Sequence, residues 1–494
     1  MRERIPLLKW TKMMGRQTMN KKRFLRVASA VLCFVLAAVV LGSCVEKPEE
    51  LLESDWNGKE AFVPSSGILK NTEELAERYA EYKKEAPLSF TAIEKTSEEC
   101  FTVSEYEGGV KIDSYNGDGK IKVVVIPETV GGLAVTAIGS NAFNSDKIIE
   151  IYVPDSVKYI ESGAFAGVNN IIKIRLPFIG DGKEITHLGH IFGTKDHSTH
   201  PTEVPTALDF VILGEGTNKI KSNSFAGCKS LSAVILPDSI EEIEEFAFYE
   251  CRDLVYLDLG DGAKKIGEYA LGYCTSLYSV SLLGAESIGL GALYGCNSTY
   301  SVTLPFVGGS ESENCHLGYI FGAEVAEHND EYVPRSIYRV NVEGCSKIPD
   351  RAFASCAYIG EIILGEEIDS IGVRAFYACR SLMEIALPQS LKTIGDDAFF
   401  GCDNLEKVDL GGAQSIGMQA FYGCRALTSV AIPDGVTEIK PSTFALCSSL
   451  KTAQLGGVKK IGKDAFFGCS SLTPVDVTGI EVEEGNENLA LKFE

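Results

Sequence analysis

All six histidines of the 494-residue chain lie in two stretches, His187, His190, His197 and His200 in the first and His316 and His328 in the second. Pairs three residues apart, His187 with His190 and His197 with His200, could gather imidazole nitrogens around a transition metal. The second stretch does not repeat the arrangement, because His187 aligns with His316 while His190 aligns with Tyr319. Such short spacings also recur in histidines that merely pack a loop. The expectation is therefore no metal and no cofactor, with His187, His190, His197 and His200 as the only metal candidates.

Fifteen cysteines are the second chemical feature. Ten of them form two periodic runs: Cys228, Cys251, Cys274 and Cys296, then Cys356, Cys379, Cys402, Cys424, Cys447 and Cys469, each 22 or 23 residues after the last. If each period is one coil of a stack, neighbouring cysteines sit about 4.8 Å apart with parallel Cα–Cβ vectors, whereas a disulfide needs them to converge. A buried ladder of free thiols is predicted. Cys100, Cys315 and Cys345 fall outside the ladder, and no C-x-x-C pair suggests zinc.

Motifs for catalysis are missing. Gly260-Asp261-Gly262 lacks the third glycine of a dinucleotide fingerprint, and no G-x-S-x-G elbow occurs. Asn116-Gly117-Asp118-Gly119 is similar to a calcium loop, but the first ligand position would be Ser114 and the twelfth Val125, so it reads as a turn. Nothing supplies a nucleophile, a base and an orienting group together, and no enzyme is expected. The chain carries 46 basic and 68 acidic residues. Residues 1–43 hold nine of the bases and one of the acids, leaving 37 against 67. So acidic a chain offers no basic face to phosphates, which excludes nucleic acid as a partner. With 24 Phe, 19 Tyr and 45% hydrophobic residues it has ample material for a core.

The elements that position these residues follow from the repeat. GYCTSLYSVSLLGAESIGLGALYGC, FYACRSLMEIALPQSLKTIGDDAFFGC and FYGCRALTSVAIPDGVTEIKPSTFALC share the form C-x-x-L-x-x-V-x-L-P-x-x-V-x-x-I-G-x-x-A-F-x-x. A period of this length with L-x-x-V-x-L at its centre is a leucine-rich repeat solenoid. A parallel sheet forms the concave face, short irregular or 3-10 turns the other, in about 12–14 coils of 22–23 residues. Val234 and Leu236 face inward, Ala233 and Ile235 outward. Pro154, Pro237, Pro388 and Pro433 end the strands because proline has no N–H. The glycines of Ile266-Gly267, Ile371-Gly372, Ile394-Gly395 and Ile461-Gly462 are expected to permit an unusual φ. Ala-Phe closes each coil, the alanine allowing close approach and the phenylalanine building a stack.

Two insertions interrupt the period, near 177–207 and 305–336. LPFIGDGKEITHLGHIFG and LPFVGGSESENCHLGYIFG begin at Leu176 and Leu304, 128 residues apart, as are Phe225 and Phe353, which points to a duplicated module. Both are expected to protrude as loops. Outward strand positions are free of the core and can carry function. There Phe210, Ile212, Ala233, Ile235 and Tyr256 gather into an apolar patch. Phe210, Ile212, Ile235, Tyr256 and Asp258 are accordingly the candidate ligand-binding residues, unless the first insertion folds over them.

Ahead of the solenoid, Lys21, Lys22, Arg23 and Arg26 precede an uncharged run from Val27 to Leu41. Fifteen residues are too short to span a bilayer, so residues 1–43 read as a secretory signal, with Met19 an alternative start. Residues 44–70 read as a polar tether. Residues 71–86 read as a short amphipathic helix, with Asn71 and Glu74 at its start and Pro87 after its end. Residues 87–135 make an N-terminal cap region, 136–477 the solenoid and 478–494 an acidic tail.

Leu41-Gly42-Ser43-Cys44 resembles the lipobox of bacterial lipoproteins, which implies lipidation of Cys44. The cysteine before each strand, the I-G-x-x-A-F after it and the L-P-F-x-G…H-L-G-x-I-F-G insertions together resemble the BspA-like leucine-rich repeat proteins of bacterial surfaces, over about residues 105–477. What the resemblance implies is a noncatalytic, exported protein, anchored in the membrane through Cys44 at the cell surface or outer membrane. Its expected partner is a protein on host matrix or another cell. The alternative is a structural spacer or glycan-binding module displaying its insertions. The family motif consists of core residues and carries no binding residue onto this chain.

Overall fold

The computed structural model describes residues 94–117, 119–259, 262–487 and 489. The expectations for the signal, for Cys44, for the tether and for the helix at 71–86 lie outside these residues. After an N-terminal hairpin the chain winds as a parallel β-solenoid of about 16 turns with little helix.

One strand per coil builds the main sheet, in chain order from Val123–Val125 to Lys407–Asp409, twelve strands in all. Ser429–Ala431 and Thr452–Gln454 pair beyond it in the same register. Coil-to-coil register is strict, Ala233 lying beside Phe210 on one side and Tyr256 on the other. The I-G segments make a second, narrower ladder of two-residue strands, as in Lys219–Ile220, Glu242–Ile243, Lys265–Ile266 and Ser287–Ile288. Between the two ladders the inward side chains form one continuous core, in which Val234, Leu257, Val280 and Val302 are buried. Burying such a row removes apolar surface worth about 25 cal/mol per Å² from water.

Phenylalanine rings stack through the core as expected. Centroids of Phe353, Phe376, Phe399, Phe421, Phe444 and Phe466 follow one another at 4.8–5.4 Å. The stack is broken by Leu271 and Leu293, which are also buried.

The glycine of I-G serves a different purpose from the expected one. A Cβ on Gly267 would lie 2.4 Å from the Glu245 nitrogen, and one on Gly395 2.6 Å from the Gly372 carbonyl carbon. Backbone passes against backbone there, so bulk rather than φ is what glycine avoids. The left-handed residues come later, two in each regular coil: the first is a non-glycine residue in all but one, as at Phe246, Arg374 and Ser442, and the second is glycine in half, as at Gly227, Gly401 and Gly468, but Glu250, Ala378 and Leu446 elsewhere.

At the ends the chain closes its own stack. Phe101–Tyr106 and Gly109–Tyr115 form an antiparallel hairpin whose second strand pairs with Leu133–Ile138. The second strand pairs parallel with the first coil and only the outer one, Phe101–Tyr106, runs the other way, which covers the first coil. The segment expected as an acidic tail continues the fold as far as Leu489: Glu481–Val482 pairs with Lys460–Ile461. Asn486 then caps the last coil, accepting from the Phe466 N–H at 3.0 Å and donating to the Gly462 carbonyl at 3.0 Å.

Both insertions are enlarged coils of the stack, which corrects the expectation of protruding loops. In the first, the Ile191 carbonyl accepts from the Phe165 N–H, and the Leu188 N–H donates to the Ser224 carbonyl. In the second, Ile320 accepts from Leu293 and Leu317 donates to Ala352 in the same way. H-L-G-x-I-F-G is therefore a variant of the I-G-x-x-A-F turn, wound as a five-residue 3-10 helix at Leu188–Phe192 and Leu317–Phe321. The additional residues form a short outer strap on the turn side, ending in one helical turn at His200–Glu203 and Asn329–Tyr332.

Candidate binding surfaces and buried polar clusters

The thiol ladder has a definite job. After the first cysteine of each run, Cys228 and Cys356, every ladder cysteine donates its S–H to a main-chain carbonyl in the preceding coil, as from Cys251 to Phe225 at 3.1 Å, Cys274 to Phe248 at 3.2 Å, Cys402 to Phe376 at 3.2 Å and Cys469 to Phe444 at 3.2 Å. That carbonyl is buried, and a small apolar side chain with one weak donor satisfies it without opening a cavity. Burial pushes the thiols up, Cys296 and Cys469 to about 12, so they stay protonated and able to donate. All thirteen cysteines among the described residues are free.

The histidines of the first enlarged coil do meet, and they meet around the backbone. His200 is buried, with Nδ1 2.7 Å from the Ala226 carbonyl. A carbonyl only accepts, so Nδ1 carries the proton and Nε2 has the lone pair. That lone pair receives the Gly189 N–H at 3.1 Å and faces His187 Nδ1 at 3.0 Å. His190 points elsewhere, to the Ile160 carbonyl at 3.3 Å, and His197 is exposed on the outer strap. Burial lowers the affinity of His200 for a second proton to about 4 and lowers that of His187 as well. The pair is a neutral hydrogen-bond knot that ties the strap to the coil.

Asn329 does the same work in the second copy. Its Oδ1 accepts from the Gly318 N–H at 2.9 Å and faces His316 Nδ1 at 3.0 Å, and its Nδ2 donates to the Ala354 carbonyl at 3.0 Å. Carboxamide and imidazole thus exchange as hydrogen-bonding groups. Among the described residues no group of three or more His, Cys, Asp or Glu is placed to hold a metal ion.

On the outward face of the sheet, burial changes along the stack. From Glu384 to Gln454 the outward residues are exposed and the inward ones buried, as alternation requires. On the strand just before, Ile363 is a large apolar outward residue, 37% exposed. Towards the other end the outward residues are buried too. Phe210 (1% exposed), Ile212 (6%), Ala233 (4%) and Ile235 (6%) form a cluster separate from the main core, with Tyr256 half-buried against it. The apolar patch is real, but Phe210, Ile212 and Ile235 have almost no surface left to offer a ligand. Asp258 lies beside Ile235 on the next strand.

The first insertion makes its hydrogen bonds on the turn side, to Ile160, Gly163, Phe165 and Ser224. Among the described residues none joins it to the outward face of the patch. Nearby, the Arg175 guanidinium bonds the Val153 carbonyl at 2.6 Å and the Asp155 carboxylate at 2.8 and 2.9 Å. Lys173 pairs with Glu150 at 3.0 Å.

A second aromatic surface on the turn side went unread in the sequence. Phe246 and Tyr269 stack at 5.5 Å, and Tyr249, Tyr273 and Tyr294 meet edge to face at 5.3–5.5 Å. Glycines of the following coil make room for them, Gly272 under Tyr249 and Gly295 under Tyr273. The signal was there, since Phe246 and Tyr269 stand one period apart, as do Tyr273 and Gly295.

A family model described as a BspA type leucine rich repeat region matches the chain in six copies, over residues 111–185, 205–312 and 346–477. The stretches between the matched spans contain the straps of the two enlarged coils. No curated protein matches the sequence. Among solved structures, a leucine-rich repeat protein from Bacteroides ovatus is 21% identical, with 73% of this chain and 98% of that one covered at a TM-score of 0.34. A leucine rich cell surface protein from Faecalibacterium prausnitzii is 22% identical, covering 74% and 95% at 0.26. A leucine-rich repeat protein from Eubacterium ventriosum is 17% identical, covering 76% and 89% at 0.32.

Proposed function

The chain belongs to the BspA-type leucine-rich repeat family, and from that premise we propose a lipid-anchored bacterial surface adhesin that binds a protein ligand on host matrix or another cell. Proteins of this family are typically found at the cell surface, and the repeat serves in general as a noncatalytic interaction module. Cys44, behind Leu41-Gly42-Ser43, is the residue that would carry the lipid, with residues 44–70 as the tether. Several acyl chains on one residue hold a protein at a membrane where a single chain would not.

The observation that carries the reading is the open half of the outward face. From Glu361–Leu364 to Thr452–Gln454, successive strands present Glu384, Ala386, Lys407, Asp409, Thr452 and Gln454 to solvent, and none serves the core. A parallel sheet exposed on one side is unusual and invites a partner. Tyr256 marks the other limit of this surface, while Phe210, Ile212 and Ile235 hold the buried end together. Because both enlarged coils are packed into the stack, the alternative of a spacer displaying long loops loses its structural motive.

Adhesion of cells displaying the full chain to surfaces coated with extracellular-matrix proteins tests the proposal. Ile363→Glu with Lys407→Glu should cut adhesion severalfold, and Cys44→Ala should abolish it by releasing the protein from the detergent phase. Adhesion that survives digestion of the coat by protease but not by glycosidase would transfer the reading to a glycan ligand. Equal partitioning of wild type and Cys44→Ala would remove the lipid anchor.

A further inference from the structure

Where the first enlarged coil meets the regular coils that follow, the turn side holds an open hollow of about 550 Å³. Phe246, Tyr249, Glu245, Glu250 and Asn223 line it, together with His197 of the strap. The hollow arises from the row of left-handed residues Asn223, Phe246, Tyr269 and Gly291. Tyr269 covers one face of the Phe246 ring, its plane within 3° of parallel. In the preceding coil the row holds Asn223 in place of a ring, so the other face of Phe246 looks into the hollow. Tyr249 stands nearly at right angles to it, at 5.4 Å and 76°.

An aromatic face beside carboxylates is electronegative twice over, through the ring quadrupole and through full charge. Glu250 is engaged by Arg252 at 3.1 Å. Glu245 is exposed and has no ion pair among the described residues. The surrounding chain is strongly acidic, with 68 acids to 46 bases. A planar cation fits these conditions: it lays its plane on Phe246 and turns its N–H edge to Glu245. We propose that this hollow is a socket for an arginine side chain on a basic protein partner, distinct from the outward face of the sheet.

The probe is a fluorescein-labelled Gly-Gly-Arg-Gly-Gly peptide, compared by anisotropy with its citrulline counterpart, which has the same shape without the charge. On the full chain in low salt the arginine peptide should bind about tenfold more tightly, and raising the salt should erase most of the difference. Glu245→Gln with Phe246→Asn should bring the arginine peptide to the citrulline level. Asparagine is chosen because Asn223 holds the same left-handed conformation one coil earlier. Glu366→Gln, an exposed carboxylate in a turn of a distant coil, should change nothing. If the double variant melts early, Glu245→Gln alone decides, since that side chain is exposed. Equal binding of the two peptides, or an unaltered preference in the variants, overturns the proposal, as does an equal loss in Glu366→Gln.

Discussion

His200 and Asn329 fill equivalent places in the two enlarged coils, 129 residues apart, and each offers one acceptor to a glycine N–H and one donor to a carbonyl of the next coil. The difference between them is that imidazole takes up a proton in the physiological range and carboxamide does not.

The first copy is therefore the acid-sensitive one. Burial holds His200 at about 4 in the folded chain, against an ordinary value of 6.5. Between these limits the unfolded chain binds the extra proton and the folded one does not, so stability falls as pH drops from about 6.5 towards 4. The loss approaches about 3 kcal/mol. His200→Asn should melt within about 1 kcal/mol of wild type at pH 7.5 and resist acid better. Urea melts across this pH range are the check, and parallel pH profiles for both proteins would sink the idea.

Native labelling with N-ethylmaleimide should separate the described cysteines into two classes. Cys100 and Cys315 are half-buried, whereas the ladder thiols are buried and kept protonated. Mass spectrometry should find adducts on the first two alone until urea opens the coils. A ladder cysteine modified in the native protein would contradict the S–H donation described above.

Phe399 has rings at 4.8 and 5.0 Å on its two sides and no exposed surface. Phe399→Ala should cost about 3–5 kcal/mol, and Lys407→Ala, on the exposed outward face, under about 0.5. Equilibrium urea unfolding measures both, and similar losses would invert the assigned register.

Ile235→Glu together with Tyr256→Glu should lower the melting temperature sharply, because the first change places a carboxylate in a buried apolar cluster. Thr452→Glu, at an exposed outward position, should leave it unchanged. A melt of the double variant like that of wild type would mean that the patch stands open.

Core positions were legible because their character repeats: one period on, Val234 is answered by Leu257, Phe248 by Leu271 and Cys251 by Cys274, and a stack needs little more. Gly267 was misread, since a clash with the coil before it depends on how closely coils stack, which a single sequence does not display. The left-handed positions were hidden where glycine does not occupy them, Phe246, Arg374 and Leu446 being poor advertisements for positive φ. H-L-G-x-I-F-G looked like loop because its spacing broke the period, although Ile-Phe stands where Ala-Phe does. The burial of Phe210 and Ile235 depends on what packs across the sheet, and alternation reports only which face a residue takes.

Each coil is bonded to its neighbours alone, and its strands run across the direction in which coils accumulate. A pull on the two ends of the stack would therefore unzip ladders one rung at a time rather than shear many together. A regular coil lengthens the stack by about 4.8 Å but stores 22–23 residues of chain, roughly 75 Å when drawn straight. The enlarged coils carry 37 and 38 residues from strand to strand, so they would pay out roughly 125 Å each. A force trace of the tethered molecule would read as a ruler of even steps with two long ones, at the places where His200 and Asn329 hold the straps.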